Sequence, residues 1–437
     1  MGANPSPADR PRRGTRLQRL LRKRRVQLAL FLGILGPGLI TSTADNDAGG
    51  IFTYAQAGAK YGYDLVWLLA ITTLALLVVQ EFNARLGVVT GKGLADLIRE
   101  RFGVRVTMLA MVLLLIANVA TTVAEFAGVA LAGEAFNISR YITVPLAAIV
   151  VWFVVLRGTY AVVEKVFLAL SVTYFSYIVS GWLVHPDWGQ VLQHTVHPQT
   201  SILDTSYLLL AVALVGTTIT PWMQFYLQAS VVDKGLRVHE LQYARADVFV
   251  GSVITDVIAF FIIVATAATL HAHGITNITN AAEAAQGLVP FAGQFAKGLF
   301  VVALLGASLL AASVLPLSTA YAVTEAFGWE RGVGFSIREA PAFFIIFTGL
   351  IVIGSVAILV PGLPLATVAF LSQDVNGLIL PAILIFMLIL INDKRAMGKY
   401  RNGRFANTVG GVTIGGVIIL NVSLLLSTLP GFPWVHV

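Results

Sequence analysis

The 437-residue chain contains no cysteine, which excludes disulfides, thiolate metal sites and cysteine-based chemistry. Charge is scarce as well. Asp, Glu, Lys and Arg make up 12% of the residues, about half the share of roughly 25% found in soluble domains. Ten-residue segments of alternating polarity, the mark of a transmembrane barrel, are absent. So are a His-Glu-x-x-His zinc motif, a phosphate-binding loop and a paired nucleophile and base, which weighs against an enzyme.

What remains is apolar. Hydrophobic residues form 57% of the chain, in successive segments near the roughly 20 residues needed to cross a bilayer. The segments fall at about 27–55 (broken), 63–87, 105–134, 141–156, 161–183, 206–231 (broken), 243–270, 292–324, 339–360, 371–392 and 409–428. They define an all-α polytopic membrane protein of about 11 spans. Nine of the 29 Lys and Arg residues lie between Arg10 and Arg25, ahead of the first span. That placement marks residues 1–25 as a basic, lipid-facing cytoplasmic arm, and the net charge of +7 as a membrane signature rather than a nucleic-acid surface. The same arm resembles the start of a secretory signal peptide, but the ten hydrophobic segments that follow argue against its removal. With the N-terminus inside, 26 of the 29 basic residues fall on the cytoplasmic side, leaving only Lys60, Arg140 and Lys297 outside. An odd number of spans then puts the tail at 429–437 outside.

The chain is organised around residues 41–58. Asp45, Asn46 and Asp47 arrive together inside the first apolar run, followed at once by Gly49 and Gly50. Carboxylates at membrane depth are costly and are kept where they face a cavity, an ion or a proton path. The glycines lower helix propensity at the same place, and a broken helix frees backbone carbonyls that bind cations. The plainer alternative is a kinked helix whose acids cap the break or pair with a buried Arg or Lys.

The sixth span holds a second interruption, Gly216 to Gln228 around Pro221. Proline removes a backbone donor and clashes with the preceding turn, so carbonyls near Thr217 and Thr218 lose partners. Thr217, Thr218, Thr220 and Gln224 supply further oxygens nearby. Paired interruptions five spans apart predict an inverted-repeat transporter with a midplane site. The repeats run over about 26–183 and 206–392, with an added span at 409–428. Among other intramembrane polar residues, Glu125 is a candidate proton or ion relay or a hydrogen-bonded core acid. Asp256, Asp374 and Asn376 either join the pathway or link helices, and Glu81 and Glu325 read as structural. His185, His194, His197, His271 and His273 match no zinc spacing and read as solvated loop histidines.

These residues bring a family into view. The stretch from Gly36-Pro-Gly38 to Tyr63, and Ala84-Arg-Leu-Gly-Val-Val-Thr-Gly-Lys92 at the end of the second span, resemble the Nramp (natural resistance-associated macrophage protein) divalent-metal transporters. The resemblance implies the LeuT-like inverted-repeat (5+5) fold. The family's Asp-Pro-Gly-Asn reads here Asp47-Ala48-Gly49-Gly50, so the metal-binding aspartate carries over as Asp47 while the asparagine ligand is lost. Asp45 and Asn46 stand just upstream as substitutes. The family's Met-Pro-His reads Thr220-Pro221-Trp222, without its thioether or histidine, and its paired span-3 acids read Thr122 and Glu125.

Thioether sulfur favours softer metals, whereas carboxylate, amide, hydroxyl and carbonyl oxygens suit Mg²⁺, Ca²⁺ or Mn²⁺. The departures resemble the Nramp-related magnesium transporters, which implies Mg²⁺ or Mn²⁺ moving without protons. The expectation is a secondary transporter importing a divalent cation by alternating access. Asp47 is the principal ligand, with Asp45, Asn46, Thr217, Thr220 and Gln224 as candidates to complete an oxygen shell. The metal is the cargo; no cofactor, nucleic-acid partner or obligatory protein partner is expected. The same fold carrying an amino acid or other organic solute, and a channel, are the competing readings.

Overall fold

The computed structural model describes residues 36–157, 160–198, 204–278 and 281–427. The basic arm at 1–25, the lead-in to the first span through residue 35 and the tail at 429–437 lie outside the described residues. In chain order the helices are Pro37–Asp45 (α1), Ala48–Tyr61 (α2), Val66–Thr90 (α3), Leu94–Phe102 (α4), Val104–Ala135 (α5) and Arg140–Arg157 (α6). Tyr160–Ser171 (α7), Phe175–Leu183 (α8), Trp188–Val196 (α9), Thr205–Thr218 (α10), Pro221–Asp233 (α11) and Leu241–Thr269 (α12) follow. The chain continues through Ala281–Phe327 (α13), Pro341–Ile358 (α14), Leu365–Asn392 (α15), Lys394–Met397 (α16) and Arg404–Ser427 (α17). No strand occurs among the described residues.

Ten segments among the described residues are long and apolar enough to cross a membrane. The short pair α1 and α2 forms a further, interrupted crossing. Several boundaries differ from the sequence expectation: the first span runs on to Tyr61 and the helix of the eighth begins at Ala281. The tenth span begins at Leu365, because the apolar run Leu365 to Phe370 extends the helix back to the Pro364 cap. The eleventh begins at Arg404, whose polar first turn is helical although too hydrophilic to read as membrane.

Burial sorts centre from rim. Thr205–Asp233, the span with the second break, is 94% buried, whereas Arg140–Arg157 and Arg404–Ser427 are each 22% buried. On α6, Ile142, Leu146, Ile149 and Phe153 are exposed at helical spacing, while Val144, Ala147, Val151 and Val155 are buried. One face thus meets lipid and the other meets protein. The two interrupted spans lie in the middle, walled by α5, α12, α13 and α15.

The first broken span is pressed against α12 by glycine. A Cβ on Gly38 would fall 2.7 Å from the Val248 amide nitrogen, and one on Gly251 2.7 Å from the Gly38 carbonyl. Only glycine lets the two backbones cross this closely, as small residues do at helix interfaces in lipid. The crossing sets the register that carries Asn46 to Thr255 on α12, where its Nδ2 donates to the Thr255 carbonyl at 2.9 Å.

Candidate functional site

Both interruptions expected from the sequence are present. α1 ends at Asp45 and α2 starts at Ala48, with Asn46 at φ −77°, ψ 54° and Asp47 extended at φ −70°, ψ 179°. α10 ends at Thr218 and α11 starts at Pro221, with Thr220 extended at φ −75°, ψ 146°. Pro221 occupies the first turn of α11, where its missing N–H costs nothing and its fixed φ suits the helix. The two breaks touch. Thr220 Oγ1 donates to Asp45 Oδ1 at 2.7 Å.

Asp47 caps α2, accepting the Gly50 N–H at 2.6 Å. Glu125 on α5 adds a second carboxylate to the same helix start, accepting the Ala48 N–H through Oε2 at 3.0 Å. Unpaired N–H groups and the helix dipole favour negative charge there. Oxygen atoms crowd against Gly50 at this helix start. The Cβ that Gly50 lacks would lie 2.6 Å from Thr217 Oγ1 and 3.2 Å from both the Asp45 carbonyl and Asp47 Oδ1. A carboxylate, a freed carbonyl and a hydroxyl around one point are hard donors of the type that Mg²⁺, Ca²⁺ and Mn²⁺ take.

Several acceptor atoms here have no protein partner: Thr217 Oγ1, Asp45 Oδ2, Asn46 Oδ1 and Glu125 Oε1. Asp45, Asn46, Asp47, Glu125, Thr217, Thr220 and Gln224 are all fully buried. Among the described residues none of Asp45, Asp47 and Glu125 forms an ion pair with Lys or Arg. The alternative of a kink held by a basic partner is therefore not what the structure contains. No group of three or more His, Asp and Glu converges on one point among the described residues. Any cation here is held by carboxylate together with neutral oxygen.

Gln224 sits one turn behind the second break. Its Nε2 donates to the Thr220 carbonyl at 3.1 Å, and its Oε1 accepts from Asn83 Nδ2. Asp256 and Asp374 lie away from the hydrogen bonds of the two breaks, and Asn376 joins them through Gln373. Of the histidines, His194 departs from the sequence reading. Rather than standing in solvent, its Nδ1 lies 2.5 Å from Asp64 Oδ1, because α9 folds back over the α2–α3 turn.

Gln373 on α15 is a site residue that sequence reasoning missed. Its Nε2 reaches Asp47 Oδ1 at 3.1 Å and Oδ2 at 3.3 Å, and its Oε1 accepts from Asn376 Nδ2 at 2.9 Å. Asn376 also donates to Thr121 Oγ1 at 3.1 Å. The signal was present in Ser372-Gln373-Asp374-Val375-Asn376, a polar cluster inside an apolar span, but the charged neighbour drew attention instead. Hydrogen bonds to charged groups contribute about 1.5–3 kcal/mol. Gln373→Ala is therefore expected to raise the half-saturating metal concentration roughly tenfold, read as concentration-dependent uptake in proteoliposomes. An unchanged value would remove Gln373 from the site.

The two ends of the bundle differ. At the basic end, Asp247 on α12 accepts the N–H groups of Gly36 (3.2 Å), Gly38 (2.7 Å) and Leu39 (3.2 Å), fastening the start of α1. Lys234 Nζ meets Glu164 Oε1 beside it at 2.6 Å. At the opposite end a cavity of about 230 Å³, lined by Phe52, Gln56, Leu210 and Phe370 among others, reaches to within about a turn of Asp47 and Gln373 along the chain.

Comparison with known proteins places this geometry. The profile of natural resistance-associated macrophage protein-like sequences (Nramp) matches residues 38–427. A protein of Verminephrobacter eiseniae named divalent metal cation transporter MntH is 28% identical over 454 residues, spanning 98% of both chains. One of the same name from Aeromonas hydrophila is 30% identical, spanning 91% of this chain and 96% of its own. The crystal structure of the Eremococcus coleocola manganese transporter overlays with a TM-score of 0.73 at 22% identity, covering 95% of this chain and 88% of that one. The shared fold is the LeuT-like inverted-repeat arrangement, and with nearly its whole length matched the chain belongs to the Nramp family.

Proposed function

We propose that the chain imports a divalent cation of hard character, Mg²⁺ or Mn²⁺, by alternating access across the cell membrane. It is a membrane transporter and not an enzyme. The observation that carries the reading is Asp47: a buried carboxylate at the break of the first span, without a basic partner among the described residues, beside the Asp45 carbonyl and Thr217 hydroxyl. The relatives named divalent metal cation transporter support the same cargo class. Spans 1–5 and 6–10 act as the two repeats, and Asp45, Asn46 and Thr220 are the candidates to complete the shell around Asp47 and Thr217, with Gln373 orienting the Asp47 carboxylate. With the N-terminus cytoplasmic, the fastened basic end is the inner gate and the cavity at Gln56 is the outer vestibule.

Two residues set this chain apart in coupling. Thr122, in place of a second span-3 acid, donates its hydroxyl to the Asn118 carbonyl at 2.6 Å and carries no titratable proton. Trp222, in place of the histidine, is fully buried in α11. Metal movement without obligatory proton movement follows from both. An organic cargo is disfavoured by crowding, since Asp45, Thr217 and Thr220 are fully buried and even a methyl group on Gly50 would meet Thr217 Oγ1.

Proteoliposomes offered Mg²⁺, Mn²⁺, Ca²⁺ and Cd²⁺ in turn, with a pH indicator inside, test the reading. Uptake of Mg²⁺ or Mn²⁺ without acidification of the lumen is the expected result. A preference for Cd²⁺, or acidification in proportion to metal, would overturn the hard-ion and uncoupled parts respectively.

A further inference from the structure

A second buried acid faces a different space. Asp256, midway along α12, is 5% exposed and lines a cavity of about 440 Å³ between α3, α9 and α12. Among the described residues, neither of its carboxylate oxygens accepts a hydrogen bond of ordinary geometry, and Thr73 is the nearest hydroxyl. Thr73, the hydroxyl beside it in the cavity, already gives its one hydrogen to the Leu69 carbonyl at 2.8 Å.

The remaining walls are apolar: Val66, Leu69, Val253, Val257 and Phe260 with Leu192. The mouth is aromatic. Trp188 on α9 and Phe260 stack with planes 16° apart and centroids 6.4 Å apart, and Trp182 packs on Trp188 at 5.4 Å. Trp182 and Leu192 are exposed on the outer surface of the spans. Tryptophan at such a position belongs to the level of the lipid headgroups, so the cavity opens where amphiphiles reside.

We propose that this pocket binds an amphipathic organic monocation, its ammonium or amidinium on Asp256 and its hydrocarbon part against Leu69, Val253 and Phe260. A lone acid at membrane depth is matched by a cation, and aromatic faces at the mouth attract the same charge. No Lys, Arg or His is among the described residues lining the cavity, so a zwitterionic lipid would leave its phosphate unmatched. A small metal ion would find one carboxylate and little else. The occupant is a simple amphiphilic amine. Its position has a consequence, since Asp256 follows Thr255, whose carbonyl holds Asn46 at the first break.

The test uses the full-length protein in nanodiscs of uncharged lipid, with a dansyl-tagged alkylammonium displaced by decylammonium or by decanol. Decylammonium is expected to displace the probe saturably and decanol to fail. Asp256→Asn should weaken binding about tenfold or more, the scale of a lost charge-assisted contact. Val253→Trp keeps the acid but fills the pocket, and should also lose binding; it decides the matter if Asp256→Asn does not fold. Equal binding in Asp256→Asn, displacement by decanol, or retained binding in Val253→Trp would each overturn the proposal. None of these readouts depends on metal transport.

Discussion

Asp47→Ala is expected to lower metal uptake about a hundredfold or more, because the change removes the carboxylate that meets Thr217 Oγ1 and the Asp45 carbonyl at Gly50. The same change strips the cap from α2, leaving the Gly50 N–H without its 2.6 Å acceptor and Gln373 Nε2 without its carboxylate. A lost N-cap costs about 1 kcal/mol, so part of any loss could come from a loosened break. Asp47→Asn separates the effects. An asparagine oxygen still accepts from Gly50, so the thermal midpoint should recover while uptake stays low. Wild-type uptake in either variant would take Asp47 out of the metal site. Recovery of uptake in Asp47→Asn alone would assign it a structural role.

Asp247→Ala is expected to open the basic end. One carboxylate holds three successive backbone donors at the start of α1. Even one such bond, at the lower figure of about 1.5 kcal/mol, shifts a closed-to-open ratio about tenfold. Lys234 and Glu164 remain to oppose opening, so the change shifts a population and does not unfold the bundle. The chain's lack of cysteine makes the measurement clean. Ile40 on α1 faces a gap of only about 10 Å³ shared with Glu164 and Tyr321. In an Ile40→Cys background, a water-soluble thiol reagent should label the added cysteine about ten times faster once Asp247 is alanine. Equal rates would show that Asp247 is not what fastens this end.

Both expectations begin from features visible in the linear chain, but to different depths. Asp-Asn-Asp-Ala-Gly-Gly announces a charged break, and Thr220-Pro221 announces a second one, since glycine and proline act on their own turn of helix. Neither stretch reveals what it meets. Asp45 meets Thr220 across 175 positions and Asp47 meets Gln373 across 326. Gln373 looked less eventful than Asp374 beside it, yet helix rotation turns the amide to the site and the acid away from it. His194 read as a loop residue, and the partner that contradicts this, Asp64, lies 130 positions away.

By itself, then, the order of residues determined the crossings, which two of them come apart, and that an acid sits at one opening. Those properties are local: a bilayer asks each segment separately for length and apolarity, and a turn of helix tolerates or refuses its own residues. Which oxygens converge, which acid fastens the basic end and which faces an apolar pocket were decided only by the tertiary structure. They depend on how helices rotate and slide against one another, and contacts such as Gly38 on Gly251 set that register between segments far apart in the chain.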